Sequence, residues 1–478
     1  IDEGVKHLFG YPGGAVLHIY DALYKQDVLE HILVRHEQGA THAADGYARA
    51  TGKPGVVLVT SGPGATNTVT GIATAYMDSI PLVVFTGQVP TRMIGNDAFQ
   101  EVDAIGITRP CVKHNFLVKN VRDLASTIKK AFYIATSGRP GPVVVVLPED
   151  MLVERVAVPD APAFEPVETW PGLADMAKLQ RLLWAAKSPI VLAGGSRWSE
   201  AATASLARFA DRFAVPVATT FRRTHLIDTL HPSYAGDVGL GINPKLLARI
   251  KASDLIVLIG GRLGEIPSQS YSLLDIPGPR QMLVHVHPGA EELGRVYHPH
   301  LAIHAAPTGF AAALEGLQPP NEISWRAQTK TAHDDYLAWT ETATPQPGGV
   351  NLGEIVVWLR QNLPEDAFIT TGAGNFSAWV HRFYRFRKFA THIGPCSGSM
   401  GYGVPSALDI KRAFPERTVV CFSGDGDFLM NGQEFATAVQ YDIPFIVVIA
   451  DNGTYGTIRM HQEREYPTRV VGTELRNP

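Results

Sequence analysis

A glycine–aspartate turn near the carboxyl end of the sequence carries residues that could hold a metal ion against a diphosphate. The run SGDGDF at residues 423–428 is followed by Asn452, 27 positions after Asp425. Mg²⁺ prefers octahedral oxygen coordination and usually takes one or two carboxylates, with waters and phosphates in its other positions. Asp425, the amide of Asn452 and a nearby carbonyl would therefore suffice, and the glycines would let phosphate approach the backbone closely.

Two apolar strands are predicted to bring these ligands together. Residues 417–422 should form the strand before the turn, residues 433–440 a helix, and residues 443–449 a second buried strand that ends just before Asp451 and Asn452. The carboxyl ends of parallel strands meet at one edge of a sheet, so Asp425 and Asn452 should lie at adjacent strand ends. A Gly-Asp-Gly tripeptide alone commonly makes an ordinary hairpin turn, so the prediction depends on the spacing and the strands.

The same layout of strand, glycine turn, helix and strand occurs near the start of the chain, from residue 55 to residue 86. Between the two regions, residues 189–195 and 255–261 are further apolar strands that end in glycine turns. Near-continuous apolar strands that alternate with helices predict parallel sheets buried on both faces. We therefore expect an α/β protein of three doubly wound parallel-sheet domains.

The length of 478 residues also suggests about three domains of roughly 150 residues each. Two proline-rich segments, residues 148–171 and 317–351, are predicted to be linkers. The expected domains are residues 1–155, 172–318 and 350–478. The sequence begins without Met and stops just beyond a helical-looking region. We therefore expect both ends to extend further, with an incomplete third domain, and the sequence leaves open whether targeting segments are present.

The composition argues against several classes of protein. Forty-two basic and 46 acidic residues give a net charge of -4 without a block of one sign, which disfavours nucleic-acid and membrane partners. The three cysteines, Cys111, Cys396 and Cys421, lack metal-ligand spacing and fit a reducing, cytoplasmic compartment. No apolar run approaches the roughly 20 residues needed to cross a bilayer. A soluble enzyme that acts on small metabolites is expected.

Several motifs resemble those of thiamine diphosphate enzymes. The Gly-Asp-Gly turn with its distant Asn resembles the thiamine diphosphate motif, and five amino-terminal segments resemble the pyrimidine-binding domain of acetolactate (acetohydroxyacid) synthases. These segments are residues 11–14, 35–40, 43–49, 60–67 and 87–90. The resemblance implies pyrimidine-binding, central and diphosphate-binding domains, with thiamine diphosphate and Mg²⁺ as cofactors. It also implies a homodimer or homotetramer, because in this superfamily the pyrimidine domain of one subunit faces the diphosphate domain of another.

The resemblance assigns catalytic roles to three residues. Glu37 matches the carboxylate that hydrogen bonds to the pyrimidine ring nitrogen N1′ and promotes the imino tautomer. Without the resemblance, a Glu at a helix start is usually a cap or a surface charge. Phe99 and Gln100 lie in a segment that matches the synthase loop facing the substrate. Phe99 would exclude water, and the Gln100 amide would orient the reacting carbonyl.

The resemblance also implies the residues that bind the cofactor. Met400 matches the apolar residue that wedges between the two rings of the cofactor, although alone it would be interpreted as a core Met filling a gap. The Thr454 carbonyl would join Asp425 and Asn452 as a metal ligand. The predicted cofactor-binding residues are Pro12, Gly13, Gly14, Asn67, Gly374, Asn375, Phe376, Ser399, Met400, Gly424, Asp425, Gly426, Asp427, Asn452, Thr454, Tyr455 and Gly456.

The central region departs from the synthase pattern. Ile266 stands where the family has an Arg beside the substrate, and its loss removes a carboxylate clamp and puts recognition of a second 2-oxoacid in doubt. His287 replaces an acidic residue of the flavin region. Arg139, in contrast, lies in a motif whose Arg contacts flavin in the synthases. The sequence therefore leaves FAD binding open.

We expect a transferase or lyase that decarboxylates a 2-oxoacid with thiamine diphosphate and ligates the product to a second carbonyl. The alternatives are a non-ligating 2-oxoacid decarboxylase or 2-hydroxyacyl lyase of the same superfamily, and a catalytically inactive thiamine diphosphate-binding protein. A nicotinamide-dependent oxidoreductase is disfavoured because the turn at residues 194–197 lacks the later glycine of Gly-x-Gly-x-x-Gly. The sequence does not indicate whether the protein binds a regulatory subunit.

Overall fold

A computed structural model describes residues 1–158, 163 and 165–477. The predicted linker at residues 148–171 therefore lies partly outside the described residues. The chain divides into two compact units. The first comprises Ile1–Pro166, Phe368–Gly374 and Ile393–Pro478, and the second comprises Val167–Ala367 and Asn375–His392.

The amino-terminal sheet lies in the first unit. Its elements are β1 (His7–Gly10), α1 (Leu17–Tyr24), β2 (Glu30–Leu33), α2 (Glu37–Thr51), β3 (Gly55–Val59), α3 (Pro63–Asn67), α4 (Val69–Asp78), β4 (Leu82–Gln88), α5 (Ala104–Thr108), β5 (His114–Leu117), α6 (Leu124–Thr136) and β6 (Pro142–Pro148). The strands are parallel, in the order β2-β1-β3-β4-β6-β5.

Successive residues of the buried strands serve two different cores. Val57 and Val59 belong to one hydrophobic cluster, whereas Val56 and Leu58 belong to another. Side chains alternate between the faces of a strand, so this valine-rich sheet has a packed core on each face. The sheet is therefore doubly wound, as the apolar runs predicted.

The central sheet lies in the second unit. The elements of this unit up to residue 362 are α7 (Leu173–Ala185), β7 (Pro189–Ala193), α8 (Glu200–Phe213), β8 (Val217–Thr220), β9 (Tyr234–Val238), α9 (Pro244–Ala252), β10 (Leu255–Ile259), β11 (Met282–His287), β12 (Leu301–His304), α10 (Pro307–Leu314), α11 (Arg326–Thr340) and α12 (Leu352–Asn362). Its six parallel strands have the order β12-β11-β10-β7-β8-β9, again with one apolar cluster on each face.

The remaining elements form the carboxyl-terminal sheet and its helices. They are β13 (Phe368–Thr371), α13 (Phe376–Phe383), β14 (His392–Ile393), α14 (Gly403–Ala413), β15 (Val419–Gly424), α15 (Asp425–Asn431), α16 (Phe435–Gln440), β16 (Ile446–Ala450) and α17 (Gly456–Glu465). The strand order is β14-β13-β15-β16, and β13, β15 and β16 are parallel. The helix α13 belongs to the second unit.

The prediction of three α/β domains built on parallel sheets is confirmed, and their boundaries stay a prediction. One local expectation differs. A helix was expected only from residue 433, but α15 begins directly at Asp425. Asp425 and Asp427 both lie in its first turn, where negative charge is favoured by the helix dipole. Within the described residues, no helix is both long and apolar enough to cross a membrane.

Candidate active site

Glu37 is the first residue of α2, and it is buried rather than a surface charge, with 8% of its surface exposed. It is not the helix cap either. His36 has extended backbone, with φ at -155°, and its Nδ1 accepts a hydrogen bond of 3.1 Å from the Gln38 N–H. Asn67 Nδ2 donates to Glu37 Oε2 at 2.9 Å. The structure therefore brings Glu37 and Asn67 together and leaves capping to His36.

Two glycines lie beside Thr60, and one of them also lies beside the Glu37 carboxylate. A Cβ atom at Gly64 would lie 3.5 Å from Glu37 Oε1 and 2.9 Å from Thr60 Cγ2, and one at Gly13 would lie 2.4 Å from Thr60 Cβ. The Thr60 hydroxyl is buried without a hydrogen-bond partner among the described residues. Buried polar groups normally have a partner, so this hydroxyl fits a place where a polar ligand binds. Pro12 is exposed, and Gly14 begins a short 3-10 turn.

The loop of Phe99 and Gln100 is fixed against the amino-terminal sheet. Gln100 has a positive φ of 57°, and a Cβ at Gly62 would lie 2.6 Å from its carbonyl oxygen. The Glu101 carboxylate accepts hydrogen bonds from the Gly95 and Ala98 N–H groups, which lower the pKa of this carboxyl. Phe99 is 88% exposed. Its predicted exclusion of water therefore needs a further surface above it.

Asp425 and Asn452 leave the carboxyl-terminal sheet at one edge, as expected. The strands β15 and β16 are parallel neighbours in which Gly424 pairs with Ala450, so Asp425 and Asp451 follow paired residues. Asp425 is 6% exposed. No group of three or more His, Cys, Asp or Glu side chains suited to a metal occurs in the part of the chain that the structure describes. Magnesium binding here stays a prediction that uses one carboxylate, an amide and a carbonyl.

The residues after β16 pack closely on the glycine turn. Asn452 Oδ1 accepts a hydrogen bond of 3.2 Å from the Thr454 N–H. A Cβ at Gly456 would lie 2.9 Å from Asn452 Nδ2, and one at Gly426 would lie 2.4 Å from the Tyr455 ring. The structure therefore brings these predicted cofactor-binding residues together, and glycine is required where the two loops touch.

The sequence analysis missed Asn477. Its Nδ2 donates to Asp425 Oδ2 at 2.8 Å and to Asp451 Oδ1 at 2.9 Å. The segment before it is anchored on the metal loop, because the Leu475 N–H donates to the Gly453 carbonyl at 2.7 Å. An amide donor between two carboxylates marks a position where positive charge is favoured, and no local motif around Asn477 indicated it.

Asp427 uses its carboxylate within its own chain. Its oxygens accept hydrogen bonds from the Gly401 N–H at 2.8 Å, from the Ala373 N–H at 3.2 Å and from the Ser423 hydroxyl. A Cβ at Gly372 would lie 2.1 Å from this carboxylate. Asp427 therefore joins the loop after β13 to the loop that contains Met400, whereas its direct contact with a cofactor stays a prediction.

The other predicted cofactor residues are distributed over both units. Ser399 Oγ lies 3.5 Å from Nε2 of His42, whose pKa burial lowers to about 3, so this His is a neutral partner at neutral pH. Gly374 lies in the first unit, whereas Asn375 and Phe376 lie in the second, where Asn375 is the N-terminal cap residue of α13. The roles of these residues and of Met400 stay predictions.

The glycine turns of the central sheet pack against each other. A Cβ at Gly195 would lie 1.8 Å from the Gly260 carbonyl oxygen, and both glycines have φ of +72°. Arg223 Nε donates to the Gly195 carbonyl at 2.7 Å. These glycines are therefore required for contact between two turns of the same sheet.

The residues connected with flavin by the resemblance also have partners within the chain. Arg139 Nε donates to Ser79 Oγ at 2.8 Å, and its guanidinium also donates to the Tyr76 carbonyl. Burial and the neighbouring His285 lower the pKa of His287 to about 4, and its Nδ1 lies 3.1 Å from the Gly289 carbonyl. These contacts lie within the chain and are not by themselves a sign of a ligand site.

Three protein-family profiles match the chain. They are the thiamine pyrophosphate enzyme N-terminal TPP binding domain at residues 1–107, the central domain at residues 176–314 and the C-terminal TPP binding domain at residues 372–478. The acetolactate synthase isozyme 3 large subunit of Escherichia coli (strain K12) is 39% identical over 98% of this chain and 83% of its own length. The acetolactate synthase large subunit of Haemophilus influenzae is 37% identical over 99% and 84%. The probable acetolactate synthase large subunit of Methanocaldococcus jannaschii is 37% identical over 99% and 82%.

Proposed function

The chain belongs to the acetolactate synthase large subunit family of thiamine pyrophosphate enzymes, and we propose from this that it decarboxylates a 2-oxoacid and ligates the product to a second carbonyl compound. The observation that carries the proposal is the buried Glu37, hydrogen bonded to Asn67, in a chain similar to these synthases over nearly its whole length. A transferase or lyase activity is expected on this basis.

Thiamine diphosphate is the cofactor of this family, and the amino-terminal site offers it the buried Glu37 carboxylate. Once bound, it supplies the carbon nucleophile and accepts the electron pair that carbon dioxide loss leaves behind. Gly64 keeps a side chain away from the Glu37 carboxylate, Gly13 leaves space beside Thr60, and the Thr60 hydroxyl lacks a partner among the described residues. Glu37 would hold a proton at ring N1′, and its burial strengthens that hydrogen bond because the local dielectric is low. Asn67 would orient the Glu37 carboxylate.

We propose that Mg²⁺ binds to Asp425, the Asn452 amide oxygen and the Thr454 carbonyl. The support is that Asp425 and Asn452 leave neighbouring strands at one edge and that an amide donor already bridges Asp425 and Asp451. Asp425→Ala should raise the dissociation constant of thiamine diphosphate at least about 100-fold at fixed Mg²⁺. Calorimetric titration with and without a chelator measures this, and equal affinity in both conditions would exclude a metal.

The residues of the flavin region give FAD binding no support, since Arg139 and His287 are engaged by their own chain. FAD binding stays a prediction, and no step of the proposed reaction is assigned to a flavin. The visible absorption spectrum of the purified protein tests this, because bound FAD would add its own absorption bands.

The proposed assembly is a homodimer or homotetramer. The support is the family resemblance, since in this superfamily the pyrimidine domain of one subunit faces the diphosphate domain of another. A second copy would then supply one of the two groups of residues that hold the cofactor. The relatives are named large subunits, which supports a smaller partner subunit as well. Light scattering combined with activity measurement tests the assembly, because fully active monomers would contradict it.

Product analysis with pyruvate tests the reaction itself. Acetolactate is expected, whereas acetaldehyde alone would favour the non-ligating decarboxylase or lyase. The feature that favours this second candidate is Ile266, which offers no guanidinium for the carboxylate of an acceptor. A catalytically inactive binding protein would release no carbon dioxide. Measuring carbon dioxide release from a panel of 2-oxoacids therefore distinguishes it from an active enzyme. Cys111 and Cys421 are free thiols, which supports the proposal of a reducing, cytoplasmic location.

A further inference from the structure

A second buried carboxylate lies beneath the start of α2. Glu434 is 1% exposed and is the last residue of the 3-10 turn Gly432–Glu434, just before α16. Its Oε1 accepts hydrogen bonds from the Arg35 N–H at 3.0 Å and from the His36 N–H at 3.1 Å. These two N–H groups belong to the residues directly before Glu37. A side chain from the carboxyl-terminal region therefore binds the backbone that carries the proposed catalytic carboxylate.

The contact completes the N-terminal cap of α2. In a capping box, the side chain of the third helical residue reaches back to the backbone N–H of the cap residue. The cap residue of α2 is His36 and the third residue is Gly39, which has no side chain. A Cβ atom at Gly39 would lie 2.5 Å from Glu434 Oε1. Glu434 thus makes the hydrogen bond that a Glu at position 39 would make, and only glycine at that position leaves room for it.

Other contacts fix the same turn of the backbone. The Tyr441 hydroxyl accepts a hydrogen bond of 2.9 Å from the Leu33 N–H, and the Arg35 guanidinium donates to Gln440 Oε1 at 2.6 Å. Thr437 Oγ1 donates to Glu434 Oε2 at 2.7 Å, which holds the Glu434 carboxylate in place. Burial raises the pKa of Glu434, whereas the hydrogen bonds from Thr437, Arg35 and His36 oppose the increase. The hydrogen bonds to Arg35 and His36 therefore belong to a network that extends from the end of β2 to the start of α2.

We infer that Glu434 is a positioning residue for Glu37. By binding the N–H groups of Arg35 and His36, it sets the direction in which α2 begins and hence where the Glu37 carboxylate lies. The cap hydrogen bonds are then made by Glu434 and His36, so the Glu37 side chain stays available to a ligand. This inference rests on the proposed function only for the role of Glu37, because the contact itself exists without a cofactor.

Amide hydrogen exchange in the cofactor-free protein tests the contact, and steady-state kinetics test its consequence. In Glu434→Ala, exchange at Arg35 and His36 should become about tenfold faster, because these N–H groups lose their acceptor. Displacement of Glu37 should lower kcat by about 10- to 100-fold, while the KM for the 2-oxoacid changes less than about twofold. Glu416→Gln, an exposed acid in the same region, is the control and should match the wild type.

Two further variants test the same contact if Glu434→Ala folds poorly. Glu434→Gln keeps the shape and one acceptor oxygen, so it should fold and show both effects to a smaller extent. Gly39→Ala retains Glu434 but places a methyl group against its carboxylate, and it should show the same two effects. Adding Gly39→Ala to Glu434→Ala should lower kcat no further, since both changes remove the same contact.

The outcomes separate this inference from the proposed function. If Glu434→Gln and Gly39→Ala keep wild-type exchange or wild-type kcat, Glu434 does not position Glu37 and the inference is overturned. If Glu37→Gln itself keeps wild-type kcat, the proposed role of Glu37 is wrong, whatever the exchange rates at Arg35 and His36. Faster exchange and a lower kcat in the Glu434 variants, with an inactive Glu37→Gln, support both.

Discussion

In the amino-terminal and central sheets, glycines lie in the segments that follow buried parallel strands, yet these glycines have different neighbours. A Cβ atom at Gly64 would lie 3.5 Å from the Glu37 carboxylate, and one at Gly13 would lie 2.5 Å from the Thr60 hydroxyl. Gly195 instead meets the carbonyl of Gly260, in the neighbouring turn of the same sheet. The first turn has a buried acid and an unpartnered hydroxyl beside it, whereas the second supports its own sheet. A glycine turn at a strand end thus indicates a ligand site only when polar groups converge on it.

The strongest test of this difference is Glu37→Gln. Loss of the carboxylate should reduce kcat by about 100- to 10,000-fold, the usual contribution of a general acid or base. The amide keeps the shape, so calorimetry should show thiamine diphosphate affinity close to that of the wild type. Turnover at the wild-type rate would remove Glu37 from the mechanism.

Gly195→Ala should act on stability instead. The added methyl group meets a backbone oxygen at 1.8 Å, and the φ of +72° disfavours alanine, so a loss of about 2–5 kcal/mol in unfolding free energy is expected. Urea denaturation measures it. Gly241→Ala is a matched control, because its φ is +69° but no atom lies near its Cβ. Equal losses in the two variants would show that backbone strain, not contact between the turns, makes glycine necessary.

Asp237, near the end of β9, should make the stability of the second unit depend on pH. Burial raises the pKa of this carboxyl from 3.8 to about 7, although Arg222 opposes the shift. The folded state then holds a proton that the unfolded state releases, so this contribution is complete below about pH 4 and is lost as pH rises through 7. Asp237→Asn should gain about 1–3 kcal/mol over the wild type between pH 4 and pH 8. The urea midpoints of both proteins, measured at several pH values, test this. A difference between the two midpoints that does not change with pH would contradict the prediction.

The smallest expected effect belongs to Thr60→Val. The substitution removes a buried hydroxyl that has no partner among the described residues, so the cofactor-free protein should be as stable as the wild type or up to about 1 kcal/mol more stable. Thiamine diphosphate affinity should fall, because the hydroxyl would bind the ligand. Thermal unfolding with and without the cofactor measures both. An unchanged affinity would mean that the hydroxyl does not mark a ligand position.

The fold was predictable because its strands are long apolar runs whose glycine turns mark their ends. The placement of Asp425 beside Asn452 followed from the same pattern, since parallel neighbours end at one edge. Asn477 and Glu434 were not predictable. Glu434 is one acid in a predicted helix, and its partners Arg35 and His36 are 399 and 398 residues away in sequence. Local spacing carries no information about contacts of this kind.

The same distance along the chain also limits how the protein folds. The Tyr402 hydroxyl on the carboxyl-terminal side donates to Asp45 in α2 across 357 residues, inside a unit that the central sheet interrupts in sequence. Closing so long a loop is entropically costly and slow, and exposed parallel strands are prone to aggregation while they wait. During synthesis, the amino-terminal sheet must therefore persist without its later partners until the residues after 367 leave the ribosome, so added chaperones should raise the recombinant yield.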